Sequence, residues 1–438
     1  MLEVLKNIIK IEELRKRIIF TLAMLVVFRL GAHIPVPGID SAALSEFFKA
    51  NSKGLLGNID MFSGGAFRNM TIFALGIIPY ISASIIMQLL TAVFPYFERL
   101  SKEGDAGRKK ITQYTRYGTI LLSVIQGFAI ATTLESAGLN GNRLVLAGIN
   151  TWAFKFITVV TLTAGTAFVM WMGEQMSERG IGNGVSLIIF AGIVVGLPTA
   201  SLQSFALFQT GELTIFIILL IAIIALAVIG AVIFVETANR KIPIQYARRQ
   251  QGNRVFGGQF THLPLKVNSA NVIPPIFASS ILMFPATITS FTSIEWVQRM
   301  GQNLVPGRLL YNVIFVMLIF FFCFFYTAIQ YNPVKIADEI KRGGGFIPGI
   351  RPGQKTAIYL NNVLQRLTFG GAIYLSAVCV LPTILITYFN VPFYFGGTAL
   401  LIVVGVAIDT NGQIETFLLN QNYDGFIKKS KKKRRKRF

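Results

Sequence analysis

Long apolar segments alternate with polar loops along almost the whole chain. Most of the apolar runs approach 20 residues, the length an α-helix needs to cross the hydrocarbon core of a bilayer. The pattern therefore predicts an all-α, multi-pass membrane protein with ten transmembrane helices. The predicted spans are 18–32, 71–95, 117–134, 152–172, 184–206, 213–235, 272–291, 309–331, 367–389 and 397–419.

Lys and Arg collect in every second loop. On this span assignment, 33 of the 41 basic residues fall on one side of the membrane and seven on the other. The remaining one, Arg29, lies within the first span near its outer end. Because loops rich in Lys and Arg stay on the cytoplasmic side, both termini are predicted to be cytoplasmic.

Ten spans divide into two halves of five, 1–206 and 207–420, followed by a basic tail, 421–438. An odd number of spans reverses the orientation of the second half. The halves are therefore expected to be inverted about an axis in the membrane plane, with a pathway at their interface. No strong internal sequence repeat is visible.

Composition supports a membrane protein and argues against other classes. The 438 residues are 53% hydrophobic, with a mean hydropathy of +0.59, yet carry a net charge of +21, a combination that soluble proteins rarely show. Two Cys and two His offer neither a disulfide framework nor metal-ligand spacing. Phosphate-binding, metalloprotease and serine-hydrolase motifs are absent from the sequence. We expect no enzyme activity and no cofactor.

Polar and ionisable residues inside the spans help to weigh a rival class, the inverted-repeat secondary transporter. Ion-coupled transporters keep ionisable residues near the midplane of the membrane. Here Glu174 and Asp409 fall toward the inner ends of spans and are interpreted as partly hydrated, hydrogen-bonded carboxylates. Small and polar residues in the second and seventh spans fit either close helix packing or a wet interior.

Two cytosolic loops, 236–271 and 332–366, are too long to be simple links. The first carries Arg248, Arg249 and Arg254 around a Gly turn and is predicted to form a hairpin. Gly and Pro in the second predict a shaped turn that presents Arg351. Such loops either obey the topology rule and touch anionic lipid, or dock an acidic partner such as ribosomal RNA or a protein surface. The terminal run 431–437 is predicted to be a disordered, solvated tail.

Several motifs spread over nearly the whole chain resemble the SecY family, the channel-forming subunits of the bacterial Sec translocon. They are Phe28-Arg-Leu-Gly31, Ile34-Pro-Val-Pro-Gly-Ile-Asp40, Met61-Phe-Ser-Gly-Gly65, Phe73-Ala-Leu-Gly-Ile-Ile-Pro-Tyr-Ile-Ser-Ala-Ser84, Gly173-Glu-Gln-Met-Ser-Glu-Arg-Gly-Ile-Gly-Asn-Gly184, Thr261-His-Leu-Pro-Leu-Lys-Val-Asn268, Phe346-Ile-Pro-Gly-Ile-Arg-Pro-Gly353 and Pro392-Phe-Tyr-Phe-Gly-Gly397. The resemblance implies an hourglass channel that conducts unfolded secretory polypeptides. It also implies a lateral gate that releases transmembrane segments into lipid.

The resemblance assigns roles to particular residues. The pore ring would be Ile77, Ile81, Val185, Ile189, Ile276 and Ile402. The plug, about residues 59–70, would include Met61, Phe62, Ser63, Gly64, Gly65, Phe67 and Arg68. The lateral gate would include Ser84, Gln88 and Ser279. SecA or ribosome docking would use Arg248, Arg249, Arg254 and Arg351.

The resemblance also implies partners and a location. The expected partners are the small SecE and SecG subunits, the SecA ATPase, ribosomes, polypeptides with signal sequences, and anionic lipid. ATP chemistry would belong to SecA, and the chain would lie in the bacterial plasma membrane. The Gly64-Gly65 pair suggests a weakly held, displaceable plug.

Overall fold

The structure is a computed structural model of the full chain. It describes residues 11–40, 43–44, 60, 63–136, 138–139, 142–143, 145, 150–209, 215–246, 249–251, 254–256, 260–289, 308–389 and 396–435. The described residues are mostly helical. The helices are α1 Glu12–Gly31, α2 Ile78–Val93, α3 Pro95–Lys102, α4 Asp105–Ser136, α5 Thr151–Arg179, α6 Gly184–Gln209, α7 Ile215–Thr237, α8 Ile273–Thr289, α9 Leu309–Gln330, α10 Pro333–Arg342, α11 Gln354–Phe389 and α12 Gly397–Arg435.

Each of the ten predicted spans overlaps one of these helices, as expected for a multi-pass membrane protein. Five stretches of the described chain are individually long and apolar enough to cross a membrane, and the bent pair α2 and α3 makes a sixth. Three shorter apolar helices lie within α6, α7 and α8. The five are Asp105–Glu135, Thr151–Arg179, Leu309–Arg342, Gln354–Pro382 and Gly397–Leu419.

The second span differs from its prediction at both ends. Thr71 forms a β-bridge with Pro35 and residues 72–77 form consecutive turns, so the helix begins only at Ile78. Gly76 takes a φ of +55°, which is incompatible with a right-handed helix, and Pro79 favours the first helical turn that follows. At the other end the axis turns by 98° into α3. Phe94 is extended there because Pro95 disfavours helical backbone at the residue before it.

Three helices continue beyond their apolar runs. The helix of the third span begins at Asp105, and that of the ninth begins at Gln354. Polar residues with good helix propensity extend both of them outside the predicted membrane region. The prediction of a disordered tail at 431–437 is wrong for its described part, because α12 runs on to Arg435. Lys and Arg are good helix formers, and 431–435 contains neither Gly nor Pro.

The chain divides into two compact units. The first comprises Met1–Gln203, Thr287–Gln298 and Ile402–Phe438. Its core consists of buried side chains from α4, α5 and the chain between α1 and α2. The buried residues of this core are Val36, Leu44, Phe67, Met70, Ala74, Leu75, Ala131, Leu134, Phe154 and Leu162.

The second unit comprises Ser204–Ala286 and Arg299–Leu401 and carries the polar module outside the apolar helices. Strands β3 Asn239–Tyr246 and β6 Phe260–Lys266 pair antiparallel, which confirms the predicted hairpin. A short strand, β7 Gly345–Phe346, pairs with the other edge of β3. The remaining described strands are β1 Gly138–Leu139, β2 Asn142–Arg143, β4 Arg249–Gln251 and β5 Arg254–Phe256.

Candidate channel constriction, plug and docking surfaces

The chain preceding α2 lies as irregular backbone against the end of α1. The N–H of Val36 donates to the carbonyl of Met70 at 2.9 Å, and the N–H of Ile72 donates to the carbonyl of Ile34 at 3.0 Å. Met70 itself has a φ of +42°. Most side chains from 71 to 77 are buried. These bonds satisfy backbone groups that would otherwise be buried without a partner.

This irregular backbone lies deep along the long helices of the first unit. A Cβ placed on Gly165 would overlap the carbonyl oxygen of Ile72. Gly165 is the central residue of α5, a helix of 29 residues. A Cβ on Gly64 would lie 2.8 Å from Cα of Gly192, about two turns into α6. Non-helical backbone therefore lies at the depth of the middle of a spanning helix.

The plug segment is held more firmly than its glycines suggest. Ser63 Oγ accepts a hydrogen bond from the N–H of Phe67 at 3.0 Å, and the Phe67 ring is buried in the core of the first unit. The carboxylate of Asp60 accepts from the N–H of Arg68 at 2.7 Å. Gly64 and Gly65 both have positive φ, as tight turns require. Met61 and Phe62 lie outside the described residues.

Asp60 is the titratable group at the centre of these contacts. Its burial raises the pKa of the carboxyl above its usual range, while the backbone hydrogen bond from Arg68 and the Arg68 charge oppose that rise. Desolvation is thus the larger influence on the charged form.

The first ring pair lies at the start of α2. Ile77 is the residue that precedes the helix, and its carbonyl accepts from the N–H of Ile81 at 3.0 Å. One helical turn therefore separates the two side chains, which share one helix face, as their spacing predicts. Ile77 is buried and Ile81 half-buried.

The second ring pair lies in the first turns of α6. The side chain of Asn183 accepts from the N–H of Val185 at 3.1 Å and from that of Ser186 at 3.3 Å, which caps the helix start. Val185 and Ile189 follow one turn apart. A Cβ on Gly173 would lie 3.2 Å from Cγ2 of Val185, so this side chain also packs against α5.

The last two ring residues lie on separate helices. Ile402 is buried in α12 and belongs to the first unit, whereas Ile276 is half-buried in α8 of the second unit. Five of the six ring candidates thus belong to the first unit. That the six form one constriction stays a prediction.

The predicted gate residues form side-chain hydrogen bonds within their own helices. Gln88 donates to Ser84 Oγ at 3.4 Å, one turn earlier in α2. Ser279 donates to the carbonyl of Ile276 at 2.9 Å in α8. Polar side chains satisfied in this way can face an apolar environment at low cost.

The two long loops that are predicted to be cytosolic form one packed module in the second unit. The hairpin β3/β6, the helix α10, the strand β7 and the start of α11 share an apolar core. Its buried residues are Ile242, Ile244, Leu265, Ala337, Ile340, Ile347, Ala357, Leu360 and Leu364. Hydropathy patterning identified each loop but not their association.

Arg351 is exposed on an ordered turn that joins β7 to α11. Gly349 and Gly353 flank it with φ of +82° and +103°. The Thr356 hydroxyl donates to the carbonyl of Arg351 at 2.9 Å. The backbone that carries this guanidinium is therefore fixed, as the Gly and Pro pattern predicted.

The other docking candidates lie at the far end of the hairpin. Arg249 and Arg254 belong to β4 and β5, which pair antiparallel, with Arg254 opposite Gln251. Arg248 lies outside the described residues.

The sequence analysis missed a cluster around the turn between α5 and α6. The N–H of Ile181 donates to Thr21 Oγ1 of α1 at 3.1 Å. The N–H of Gly182 donates to the side-chain Oε1 of Gln413 in α12 at 2.8 Å. Arg17 lies over the Phe417 ring at 5.1 Å. Thr21 in α1 and Gln413 in α12, each near the middle of its helix, therefore contact the same turn. The available signals were the polar Gln413 inside the last predicted span and the Gly173–Gly184 motif, which contains this turn.

Metal chemistry finds no support in the described part of the chain. No group of three or more His, Cys, Asp or Glu side chains suited to a metal ion occurs there. Cys323 and Cys379 are buried free thiols.

The comparisons with known proteins agree with this geometry. The sequence profile of the SecY family matches residues 71–411, well over half of the chain. The protein translocase subunit SecY of Pseudomonas aeruginosa is 49% identical over 424 residues, which covers 96% of this chain and 94% of that relative.

Two solved structures show the same fold. One reports that the plug domain of the SecY protein stabilises the closed state of the translocation channel and maintains a membrane seal; it has a TM-score of 0.63, 19% identity and 92% coverage of both chains. The other is Sec61 in the canine ribosome-channel complex from the endoplasmic reticulum, with a TM-score of 0.60, 16% identity and 92% coverage of both chains. By profile, by near-complete sequence similarity and by fold, this chain belongs to the SecY family.

Proposed function

We propose that this chain is the channel-forming subunit of a protein translocase. It conducts unfolded secretory polypeptides across the membrane and releases transmembrane segments sideways into lipid. The observation that carries the proposal is the irregular backbone of 71–77, whose Ile72 carbonyl packs on the central residue of α5. Non-helical backbone occurs at membrane depth only where protein buries it or where it lines a water-filled cavity.

The pore ring is proposed to close this pathway. Ile77 and Ile81 follow the irregular segment directly, and Val185 and Ile189 begin a helix that the same segment contacts. Branched aliphatic side chains exclude water and ions from a narrow opening by dewetting. They also yield around a passing polypeptide without binding any particular sequence. Ile276 and Ile402 complete the proposed ring.

The plug is proposed to be residues 59–70, resting beneath the ring on the outer side. Ser63, Gly64, Gly65, Phe67 and Arg68 are its described members with assigned roles. The fold neighbour whose plug domain maintains a membrane seal supports this assignment. Ser84 and Gln88 in α2 and Ser279 in α8 are proposed to line the lateral gate.

The packed cytosolic module is proposed to dock the partners that deliver substrate. Arg351 would contact the SecA ATPase, and Arg248, Arg249 and Arg254 would contact the ribosome. Sec61 in its ribosome complex is a fold neighbour in keeping with this role. SecE and SecG would complete the channel, and anionic lipid would surround it. The energy for transport would come from SecA. We therefore propose that this chain is not itself an enzyme and needs no cofactor.

The proposed location is the bacterial plasma membrane, with both termini cytoplasmic. The basic asymmetry supports this orientation. The proposed halves, 1–206 and 207–420, are related by inversion. Homology across nearly the whole chain disfavours the secondary transporter.

The function is tested by making the ring polar. In planar bilayers, Ile77→Asn or Ile402→Asn should raise the resting ion conductance, because a polar group replaces the water that an ion sheds at the constriction. The matched control is Ile223→Asn in α7, whose side chain is 55% exposed and faces away from the protein. It should impair insertion without opening a conductance. Folded ring variants that stay as tight as wild type would refute the channel assignment.

A further inference from the structure

The guanidinium of Arg29 holds the plug segment from the end of α1. Its Nη1 donates to the carbonyl oxygen of Gly64 at 2.8 Å. Arg29 lies two residues before the end of α1, and its own carbonyl is bonded to the His33 ring at 2.8 Å. The helix end that carries the guanidinium is therefore fixed, while its acceptor belongs to the segment proposed to move.

Within the described chain, the Arg29 guanidinium has few partners other than the Gly64 carbonyl. Among the ion pairs between described residues, none includes Arg29. The side chain is half-buried, and the helix around it is apolar. A guanidinium is always charged and presents five donors. A hydrogen bond from a charged donor is about twice as strong as a neutral one. The bond from Arg29 to the Gly64 carbonyl therefore stabilises this arrangement more than a neutral hydrogen bond would.

A second contact makes this bond depend on the seated position of the segment. Gly64 packs against Gly192 so closely that an added Cβ would lie 2.8 Å from the Gly192 Cα. The contact fixes where the Gly64 carbonyl points when the segment lies against α6. If the segment left α6, its carbonyl would move out of reach of Arg29.

We propose that Arg29 is the latch of the plug, a positioning residue whose hydrogen bond to Gly64 favours the closed channel. The inference rests on the proposed channel function and adds the residue that sets its resting equilibrium. Net contributions of charge-assisted hydrogen bonds correspond to a shift of about 10- to 100-fold in an equilibrium constant. Loss of the latch should shift the closed-to-open ratio by that factor.

The test measures resting conductance of the full chain in planar bilayers. Arg29→Met keeps most of the apolar stem but removes the donors, and should raise the fraction of time spent open about 10- to 100-fold. Arg29→Lys keeps a charged donor and should restore part of the seal. Arg15→Met is the matched control, because it removes the same charge from an exposed side chain in the first turn of α1 and should leave the conductance near wild type.

Ile77→Asn, measured in parallel, separates the two proposals. If Ile77→Asn leaks while Arg29→Met stays as tight as Arg15→Met, the latch is refuted and the channel stands. If neither leaks in folded protein, the channel assignment itself fails. A purely structural role for Arg29 would lower the unfolding temperature of Arg29→Met without raising conductance, which would also overturn the latch.

Discussion

Arg116 and Glu174 join α4 to α5 through two hydrogen bonds, with Nε 2.9 Å from Oε1 and Nη2 2.7 Å from Oε2. The Glu174 side chain is only 15% exposed, so much of this carboxylate is shielded from solvent. The sequence predicted a hydrogen-bonded carboxylate near the inner end of a span. The structure identifies its partner and the two helices that it connects.

The Arg116–Glu174 pair should contribute more to the free energy of unfolding than the exposed Lys16–Glu12 pair does. Arg116→Lys should lower the free energy of unfolding by about 1–2 kcal/mol, because an ammonium cannot reproduce the two parallel bonds. Lys16→Met, which breaks an exposed pair with Glu12, should cost no more than about 0.5 kcal/mol. Denaturant unfolding in detergent measures both. Equal losses would mean that the Arg116 pair is an ordinary surface contact.

Ala substitutions at two neighbouring glycines, Gly64 and Gly65, should change the resting conductance by different amounts. Ala at Gly64 or Gly65 bears the same left-handed backbone strain, since their φ values are +66° and +84°. Only Gly64→Ala also meets the Gly192 backbone; the nearest atom to an added Cβ at Gly65 is Nη2 of Arg68, at 3.7 Å. Gly64→Ala should therefore raise resting conductance in bilayers well above Gly65→Ala. Equal conductances would contradict close seating of the segment on α6.

Asp60 predicts a pH dependence of stability. Its pKa is raised in the folded state, so the folded protein binds more protons than the unfolded protein within the affected range. Stability should therefore fall as pH rises from about 3.9, the ordinary value for Asp, through the raised pKa, and then level off. Asp60→Asn keeps an acceptor for the Arg68 N–H and should flatten this profile. Thermal unfolding across the acidic range measures it, and identical profiles would contradict the burial of Asp60.

Charge reversal at Arg351 should reduce SecA-driven transport more than charge reversal at the exposed Lys355. Arg351→Glu should reduce SecA-driven transport in proteoliposomes at least tenfold, because the fixed turn presents this guanidinium in one position. Lys355→Glu makes the same charge change at an exposed site in the first turn of α11 and should have a smaller effect. Similar losses in both variants would indicate general electrostatic attraction, and unfolding temperatures would verify that both proteins are intact.

Hydropathy predicted where the helices lie but not what happens inside them. An apolar run is the same signal whether its backbone is helical or irregular, so 71–77 was assigned to a helix. The positive φ of Gly76 and the packing of Ile72 on Gly165 arise from tertiary contacts that no local pattern encodes. Polar helix extensions such as 354–366 were missed because hydropathy stops at the membrane boundary.

The candidate site was predicted unevenly. The i,i+4 spacing placed Ile77 with Ile81 and Val185 with Ile189, since helix geometry is local. Grouping Ile276 and Ile402 with them came only from the family resemblance. The Arg29 contact with Gly64 joins residues far apart in sequence, and the side chain was visible beforehand only as a charge inside a span.

The pairing of β7 with β3 has a consequence for how the protein is made. β3 carries β6 on one edge and β7 on the other, and α8 and α9 are synthesised between β6 and β7. While the chain is being synthesised, the β3 edge that later pairs with β7 therefore stays unpaired until α8 and α9 have emerged and inserted. The module formed by the two long loops is completed only after the apolar helices between its parts have been synthesised. Its finished surface thus marks a chain whose eighth and ninth helices have already been synthesised.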